Sequence, residues 1–310
     1  MTPASTGRAG MPVPALDIGG THVTAALVNP ATSRPDPSTV IRKPLPSQAG
    51  AAAILDGIAA AALALPTGHS LRWGVAMPGP FDYDTGIGRF TGVGKFESLF
   101  GVDVGAGLRE RLRGRSEKLC FLNDADAFAI GEYGAGAATG HDRVVCLTLG
   151  TGVGSSFLSA GRPVHTGPAV PPSGHVHHLT VHGRPLEDTV SRRGIRSLYG
   201  RSTAAGAARL PDVDELAARA TKGDAAAVEV FRYAFDALGQ ALAPWIDRFA
   251  ATAVVIGGSM AQSWNLIHPA LTTGLGSAGR ADVPVLPARH PEEAPLIGAA
   301  HWAQDTSDAS

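Results

Sequence analysis

Hydrophobic residues near the start of the 310-residue chain form two runs, 14–18 and 23–28, separated by the glycine turn Gly19–Thr21. Two apolar runs joined by a tight glycine turn predict a β-hairpin. Glycines let backbone N–H groups approach an anion closely, and Thr21 adds a hydroxyl donor. Asp17 would repel this anion unless a cation lay between them. The pattern therefore predicts either a turn for a Mg²⁺-bound nucleotide phosphate or an ordinary hairpin with an acid at its turn.

A second hairpin with the same kind of turn is predicted near the middle of the chain. Apolar runs at 143–149 and 153–158 flank the turn Gly150–Gly152. This repetition predicts two related halves, each with its own phosphate-facing hairpin. A further glycine pair, Gly257 and Gly258, lies between a short apolar strand and a predicted helix, where backbone N–H groups are offered to a ligand.

Two further predicted strands each end in a distinct motif. The strand at 72–77 is broken by Pro78–Pro80, and the strand at 118–122 runs into Asn123 and Asp124. In α/β proteins, ligands bind in the loops that follow the strands, so the Pro78–Pro80 break lies where a ligand is expected. Asp124 is a candidate N-cap of the helix that begins after it.

Apolar residues three and four positions apart predict a long amphipathic helix after Asp224, which is its predicted N-cap. The predicted buried face consists of Val228, Phe231, Phe235, Leu238, Leu242, Trp245 and Phe249. An alanine-rich helix is predicted at 51–65, and a closing helix is predicted to begin near Pro295. Strands that alternate with helices in this way predict an α/β protein.

The composition is that of a folded globular protein, with 44% hydrophobic and 17% charged residues. A net charge of −1 supplies no basic field, and no helix-turn-helix segment precedes the first hairpin, so nucleic acid is not an expected partner. The apolar segment 51–65 carries Asp56 and is too short to span a bilayer, so no membrane partner is expected. Cys120 and Cys146 each lie in an apolar run, which predicts buried thiols and a reducing, cytoplasmic location.

Taken in order, these motifs resemble those of the ROK family of bacterial sugar kinases, within the actin, hexokinase and Hsp70 superfamily. The matching segments are Leu16–Val28 and Leu147–Gly154 for the two phosphate loops, Ala76–Pro80 for the Pro-Gly-Pro loop, Asn123–Glu132 for the Asn-Asp segment, Gly257–Ser259 for the adenosine loop and Gly298–Ala300 for the closing Gly-Ala-Ala. The resemblance implies an α/β protein with the two-domain, actin-like (ribonuclease H-like) ATPase fold and an interdomain cleft.

The resemblance also implies where the domains lie and how the chain assembles. A small N-terminal α/β domain is expected at 11–122, completed by the C-terminal helix at 293–304. A large α/β domain is expected at 123–292. A homo-oligomer, either a dimer or a tetramer, is the implied assembly, although the sequence identifies no interface for it.

The implied activity is transfer of the γ-phosphate of ATP to a hydroxyl of a hexose or hexose derivative, with Asp124 as the base that accepts the hydroxyl proton. Such a transfer depends mostly on positioning and charge stabilisation, and a carboxylate within reach of the hydroxyl is a suitable base. The implied contacts of ATP and Mg²⁺ are Asp17, Gly19, Gly20, Thr21, Gly150, Thr151, Gly152, Gly257 and Gly258. The implied sugar contacts are Pro78, Gly79, Asn123, Asp124, His175 and His178.

A histidine-rich segment departs from the family pattern. His178 matches the family's histidine, but His175 stands where the family has a sugar-binding glutamate. The loop at 182–188 contains no cysteine, so the structural zinc site of the family is predicted to be absent. An alternative is zinc held by imidazoles alone. The candidate ligands for that alternative are His175, His177, His178 and His182.

A second departure lies at 92–97, where Lys95 and Glu97 are candidate sugar contacts or simply solvated charges. The departures leave open which sugar is used, which hydroxyl is phosphorylated, and whether ATP or polyphosphate is the donor. The alternative function is a catalytically weak or inactive sugar-binding sensor of the ROK type, in which His175 has removed the activity. Retention of Asp17 and Asp124 favours the kinase, because a protein that only binds sugar needs no base.

Overall fold

The computed structural model describes residues 10–203 and 210–305. The chain divides into two compact units, the first comprising Met1–Gly136 with Glu292–Ser310 and the second comprising Ala137–Pro291. Each unit contains a sheet and a hydrophobic core of its own. The helix at Asp124–Ala135 belongs to the first unit, whereas the domains predicted from the sequence assign it to the second.

The described residues form both strands and helices. The strands are β1 Val13–Ile18, β2 His22–Asn29, β3 Arg34–Pro35, β4 Ile41–Pro44, β5 Arg72–Met77, β6 Phe81–Asp82, β7 Ile87–Gly88, β8 Lys118–Asn123, β9 Arg143–Leu149, β10 Val153–Ser159, β11 Arg162–Pro163, β12 Thr180–Val181, β13 Arg184–Pro185, β14 Ala253–Gly257 and β15 Val285–Pro287. The helices are α1 Ala51–Ala62, α2 Val104–Arg111, α3 Asp124–Ala135, α4 Glu187–Val190, α5 Arg192–Ser202, α6 Val213–Thr221, α7 Ala225–Phe249, α8 Trp264–Ser277 and α9 Ala294–Asp305. Short 3₁₀ helices lie at Pro37–Thr39, Glu97–Leu99, Pro172–Gly174, Val176–His178 and Ser259–Ser263.

The first predicted hairpin is confirmed as β1 and β2, which pair antiparallel along their length. The sheet of the first unit has the order β3-β2-β1-β5-β8, with β4 paired to β2. Because β1, β5 and β8 are parallel, their carboxyl ends lie at one edge of this sheet. That edge carries the turn after Ile18, the loop after Met77 and the end of β8 at Asn123.

The second predicted hairpin is confirmed as β9 and β10. The sheet of the second unit has the order β11-β10-β9-β14-β15, with β9, β14 and β15 parallel. Gly257 at the end of β14 pairs with Thr148 near the end of β9, so these two carboxyl ends lie side by side. Both sheets therefore contain an antiparallel hairpin continued by two parallel strands, which is the repetition that the paired glycine turns predict.

The long amphipathic helix is confirmed as α7, and the side chain of its N-cap Asp224 accepts a hydrogen bond from Ala227 N–H at 3.1 Å. The prediction for Val228 is wrong, because this residue is 41% exposed. Ala227, four residues before the buried Phe231, faces the core at this turn in its place. The remaining predicted positions lie in or against the core: Phe231, Phe235, Leu238, Leu242, Trp245 and Phe249.

Helices α3 and α9 of the first unit approach each other through glycines. A Cβ atom on Gly298 would lie 1.8 Å from Ala127 O, and one on Gly131 would lie 2.0 Å from Ala294 O. No side chain fits at either position, so glycine is what allows the two backbones to come this close. The contact holds α3, whose first residue is Asp124, against the closing helix of the chain.

Cys120 in β8 and Cys146 in β9 are both buried free thiols, as predicted. They lie on strands of different sheets. Within the ranges 10–203 and 210–305, none of the helices has both the length and the apolar character needed to cross a lipid bilayer.

Candidate functional site

Three of the predicted motifs lie at the carboxyl edge of the parallel strands in the first unit. Asp17 on β1 pairs with Ala76 on β5, and Met77 pairs with Asn123 on β8. The strands therefore end next to one another, at the edge where α/β sheets bind ligands. The predicted residues that this edge brings together are Asp17, Pro78, Gly79, Asn123 and Asp124.

The first glycine turn is closed by a hydrogen bond from Gly19 N–H to His22 O at 2.8 Å. The N–H group of Gly19 is therefore already bonded within the turn. Of the predicted anion contacts in this turn, Gly20 and Thr21 remain as donors. Thr21 is exposed, and its hydroxyl lies 2.9 Å from His22 Nδ1. The Ser47 hydroxyl donates to Gly20 O and so attaches the segment after β4 to the turn.

Asn123 is the N-cap of α3, because its Oδ1 accepts a hydrogen bond from Ala125 N–H at 2.9 Å. Its Nδ2 donates to the Tyr83 hydroxyl at 2.9 Å, and this hydroxyl donates to Met77 O at 3.2 Å. A Cβ atom on Gly79 would lie 3.4 Å from the same hydroxyl. Burial raises the pKa of Tyr83 above its usual range, which keeps the phenol protonated. Tyr83 therefore links the Pro-Gly-Pro loop to Asn123.

The prediction that Asp124 is the N-cap of the helix is wrong, because Asn123 is the N-cap and Asp124 is the first residue of α3. Its Oδ1 nevertheless accepts a hydrogen bond from Ala125 N–H at 2.9 Å. Burial raises the pKa of Asp124, the charge of Lys95 opposes this rise, and the charge of Asp126 adds to it. A desolvated carboxylate with a raised pKa is a better proton acceptor than a solvated one.

Asp17 is electrostatically linked to Asp124. Burial is the largest cause that raises the pKa of Asp17 to about 7, the charge of Asp124 is the second, and Arg42 on β4 acts in the opposite direction. The two carboxylates therefore repel each other. A divalent cation would relieve this repulsion, and carboxylate oxygen is the ligand type that Mg²⁺ takes in nucleotide sites. The residues present thus fit a Mg²⁺-bound phosphate.

The second glycine turn and the Gly257-Gly258 turn lie next to each other in the second unit. A Cβ atom on Gly150 would lie 3.4 Å from Ser259 Oγ, and one on Gly258 would lie 2.4 Å from Leu149 O. Gly258 also has a φ of 83°, which favours glycine. Gly150 N–H donates to Gly152 O at 3.0 Å within the turn. The residues brought together here are Gly150, Thr151, Gly152, Gly257 and Gly258.

His175, His177 and His178 form a cluster in the second unit, and one ring nitrogen of each lies within 4.8 Å of the others. The ring centroids of His177 and His178 are 4.1 Å apart. His178 is exposed, and the other two are half-buried. His182, the fourth candidate in the all-imidazole alternative, is not a member of this group. Its Nδ1 lies 3.2 Å from the Tyr233 hydroxyl.

Strand β10 holds the histidine cluster close to the second glycine turn. The Ser155 hydroxyl on β10 donates to Gly174 O at 2.7 Å and accepts a hydrogen bond from Val176 N–H at 3.0 Å. The His177 ring is hydrogen-bonded to the backbone of Val153, the first residue after the turn. Burial lowers the pKa of His177, which favours its neutral form.

Two residues that lie beside the predicted site residues, Tyr83 and Glu187, are not predicted from the sequence to have a role. Tyr83 reaches Asn123 from 40 positions away, and no spacing motif indicates this contact. Glu187, in the first turn of α4, lies beside the second glycine turn, because a Cβ atom on Gly152 would be 2.8 Å from its Oε1. The signal for Glu187 is its place near the end of the cysteine-free loop at 182–188, where α4 begins.

Comparisons with known proteins give matches that extend along nearly the whole chain. The model of the ROK family matches residues 13–306. The glucokinase of Thermotoga maritima is 29% identical over 276 residues, which cover 81% of this chain and 83% of that protein. The N-acetylmannosamine kinase of Yersinia pseudotuberculosis is 28% identical over 300 residues, which cover 94% and 97%.

A solved structure shows the same arrangement of elements. The ROK hexokinase from Thermus thermophilus matches with a TM-score of 0.78 at 26% identity, over 97% of this chain and 100% of that chain. The predicted fold class, the two-domain actin-like ATPase fold, is thereby confirmed. The family model matches far more than half of this chain, and the chain therefore belongs to the ROK family.

Proposed function

We propose that this protein is an ATP-dependent sugar kinase that transfers the γ-phosphate of ATP to a hydroxyl of a hexose or hexose derivative. The proposal rests mainly on the Asp124 carboxylate, which is desolvated and shares one sheet edge with Asp17 and the first glycine turn. The two relatives described above support the reaction class, since one is a glucokinase and the other an N-acetylmannosamine kinase.

Asp124 is the proposed base. In its ionised form it accepts the proton of the sugar hydroxyl while the new oxygen–phosphorus bond forms and the bond to the leaving ADP breaks. Burial raises the pKa of Asp124 and makes its carboxylate more basic, and the charge of Lys95 acts in the opposite direction.

The first unit is proposed to bind the phosphates through the N–H groups of Gly20 and Thr21. Gly19 keeps the turn closed through its own hydrogen bond, and Asp17 orients the cation. Bound Mg²⁺ supplies positive charge that neutralises the phosphate oxygens. Arg42 lowers the pKa of Asp17 and so favours the ionised carboxylate that such a role needs.

The second unit is proposed to contribute the N–H groups of Thr151 and Gly152 to the phosphates. Gly150 closes that turn, as Gly19 does in the first unit. Gly257 and Gly258 are the proposed contacts of the adenosine. A Cβ atom on Gly258 would lie 2.4 Å from Leu149 O, so only the backbone of this residue is available for such a contact.

The sugar is proposed to contact Pro78, Gly79 and Asn123 in the first unit. Asn123 already donates one amide hydrogen to Tyr83, and its second amide hydrogen is the proposed donor to a sugar hydroxyl. His175 and His178 are the proposed contacts from the second unit. An imidazole both donates and accepts hydrogen bonds, so His175 in place of a glutamate changes which hydroxyls are held.

The test is phosphate transfer by the wild type, Asp124→Asn and the control Asp142→Asn. Asp142 is an exposed acid in the loop before β9. A panel of hexoses, amino sugars and N-acetylated hexosamines is offered with MgATP, and then with polyphosphate. We expect one sugar class to be phosphorylated, and Asp124→Asn to lower kcat by about 10²- to 10⁴-fold. Asp142→Asn is expected to retain the wild-type rate.

The alternative function is a sugar-binding sensor without catalysis. It predicts that sugar and nucleotide bind while no sugar of the panel is phosphorylated. Full activity of Asp124→Asn would instead leave the kinase standing and remove Asp124 as its base. If the wild type is inactive, His175→Glu restores the family's residue and is expected to restore transfer only if the histidine caused the loss.

A further inference from the structure

The loop at 92–97 is attached to the first glycine turn by hydrogen bonds through Ser47. Phe96 is fully buried, and its ring packs on Phe90 with centroids 5.3 Å apart. Phe96 N–H donates to Ser47 O at 2.6 Å, and the Ser47 hydroxyl donates to Gly20 O. This chain of contacts fixes the residue before Phe96 beside the turn.

That residue is Lys95, and its side chain extends along the glycine turn. Its Cδ atom lies 3.3 Å from the position that a Cβ atom on Gly20 would take. Lys95 is half-buried, and its positive charge lowers the pKa of Asp124. The side chain of Lys95 therefore lies against the proposed phosphate turn, and its charge acts on the proposed base.

From this placement, we propose that Lys95 is a catalytic residue whose ammonium group binds the γ-phosphate of ATP and stabilises it during transfer. The inference rests on the proposed kinase function. The new bond joins the sugar oxygen to the γ-phosphorus, and the bond from that phosphorus to the ADP oxygen breaks. The hydroxyl proton passes to Asp124, and Lys95 neither gains nor loses a proton. Its contribution is positive charge where negative charge is transferred.

The surrounding charges favour this role for Lys95. The charges of Lys95 and Asp126 act on Asp124 in opposite directions, Lys95 lowering its pKa and Asp126 raising it. The charges of Asp124 and Arg42 act on Asp17, likewise in opposite directions. A triphosphate brought to the turn would meet two carboxylates that repel it, and Lys95 offsets this repulsion on the side of the base.

The experiment compares Lys95→Met, which keeps the length and removes the charge, with Lys95→Arg, which keeps the charge. Lys118→Met is the control, because Lys118 is exposed at the amino end of β8, at the opposite end of that strand from Asn123. The affinities for Mg²⁺-AMPPNP and for Mg²⁺-ADP are measured by titration calorimetry. For the accepted sugar, kcat, KM and the pH profile of kcat/KM are measured.

We expect Lys95→Met to lose about tenfold in AMPPNP affinity while its ADP affinity changes less than about twofold. Its kcat is expected to fall by about 10²- to 10³-fold. Lys95→Arg is expected to keep most of the AMPPNP preference. The acidic limb of the pH profile is expected to move upward in Lys95→Met, because Asp124 loses the cation that favours its ionised form.

Several outcomes would overturn the role of Lys95. One is an AMPPNP-to-ADP affinity ratio that Lys95→Met leaves unchanged. Another is a raised KM for sugar with kcat intact, which assigns Lys95 to the sugar. A wild type that phosphorylates nothing overturns the proposed function itself. The two titrations then still decide the present inference, because selective loss of AMPPNP affinity supports the γ-phosphate contact and an unchanged ratio refutes it.

Discussion

Asn123 and Asp124 are adjacent residues, but the fold uses their hydrogen-bonding groups to different degrees. The Asn123 amide caps α3 with its oxygen and holds Tyr83 with one N–H. The Asp124 carboxylate accepts from backbone N–H groups at the start of α3 and, among its described hydrogen bonds, holds no other side chain. Of the two side chains, Asn123 therefore makes the contact with a distant part of the chain, whereas Asp124 is bonded only locally at the start of α3 among its described hydrogen bonds. The same division of roles applies to Gly19, whose N–H closes the turn, and Gly20.

The pKa of Asp17 leads to a prediction about stability and pH. The carboxyl has an ordinary pKa of 3.8 and a folded-state pKa of about 7. Between these values the unfolded chain has released a proton that the folded chain still holds, so the free energy of unfolding falls as the pH rises. Below 3.8 this cost is absent, and above about 7 it is constant. The cost at high pH is at most about 4 kcal/mol, and partial exposure of Asp17 reduces it.

Asp17→Asn removes this cost because an amide carries no charge. Thermal unfolding without nucleotide or Mg²⁺ is expected to give a higher Tm for Asp17→Asn than for the wild type at about pH 8, and a smaller difference at about pH 5. The exposed-site variant Asp142→Asn is the matched control and should show no such trend. A Tm difference between Asp17→Asn and the wild type that is independent of pH would contradict the raised pKa.

At the scale of elements, the pattern of the sequence predicts what depends on local geometry. Glycine turns between apolar runs identify both hairpins, and spacing of three and four identifies α7. The sequence pattern assigns Val228 to the buried face because valine is larger and more apolar than the neighbouring alanine. In the structure, Ala227 is the residue that packs in the core at this turn. The Tyr83 contact with Asn123 depends on tertiary approach, so local pattern carries no sign of it.

The closing Gly-Ala-Ala motif has a physical reason that only the packing of α3 on α9 shows. Gly298→Ala would place a Cβ atom 1.8 Å from Ala127 O, and the two helices must separate to admit it. We expect this substitution to lower the free energy of unfolding by about 3 kcal/mol or more, measured by urea denaturation. Activity is expected to fall as well, since the displaced helix begins at Asp124.

A helical glycine in the second unit provides the matched control. A Cβ atom on Gly276, near the end of α8, would meet only Ala281 Cβ at 3.5 Å, an ordinary contact. Because alanine is the better helix former, Gly276→Ala is expected to leave stability unchanged or to raise it by up to about 1 kcal/mol. Equal effects of the two substitutions would show that the α3–α9 contact is not as tight as the structure has it.

At the scale of the whole molecule, each unit has its own apolar core. In this chain, the cysteine-free loop that corresponds to the zinc loop of the family is ordered by a hairpin and by packing on one of these cores. Strands β12 and β13 pair antiparallel across His182 and Gly183, which both have positive φ, as in tight hairpin turns. Val181 and Leu186 on either side are buried in the core of the second unit. Leu186 N–H donates to Leu179 O at 2.7 Å. This hairpin orders the loop without thiolates.

The protein is therefore expected to need no structural zinc. The cluster of His175, His177 and His178 offers three ligands, one of them exposed, whereas structural zinc sites almost always use four protein ligands. Purified protein is expected to contain less than about 0.1 zinc per chain by mass spectrometry. Its Tm is expected to change by less than about 1 °C with a chelator, because no folding energy comes from a metal. A stoichiometric amount of zinc that disappears in His177→Ala, together with a Tm that falls on chelation, would show that the imidazoles hold a metal after all.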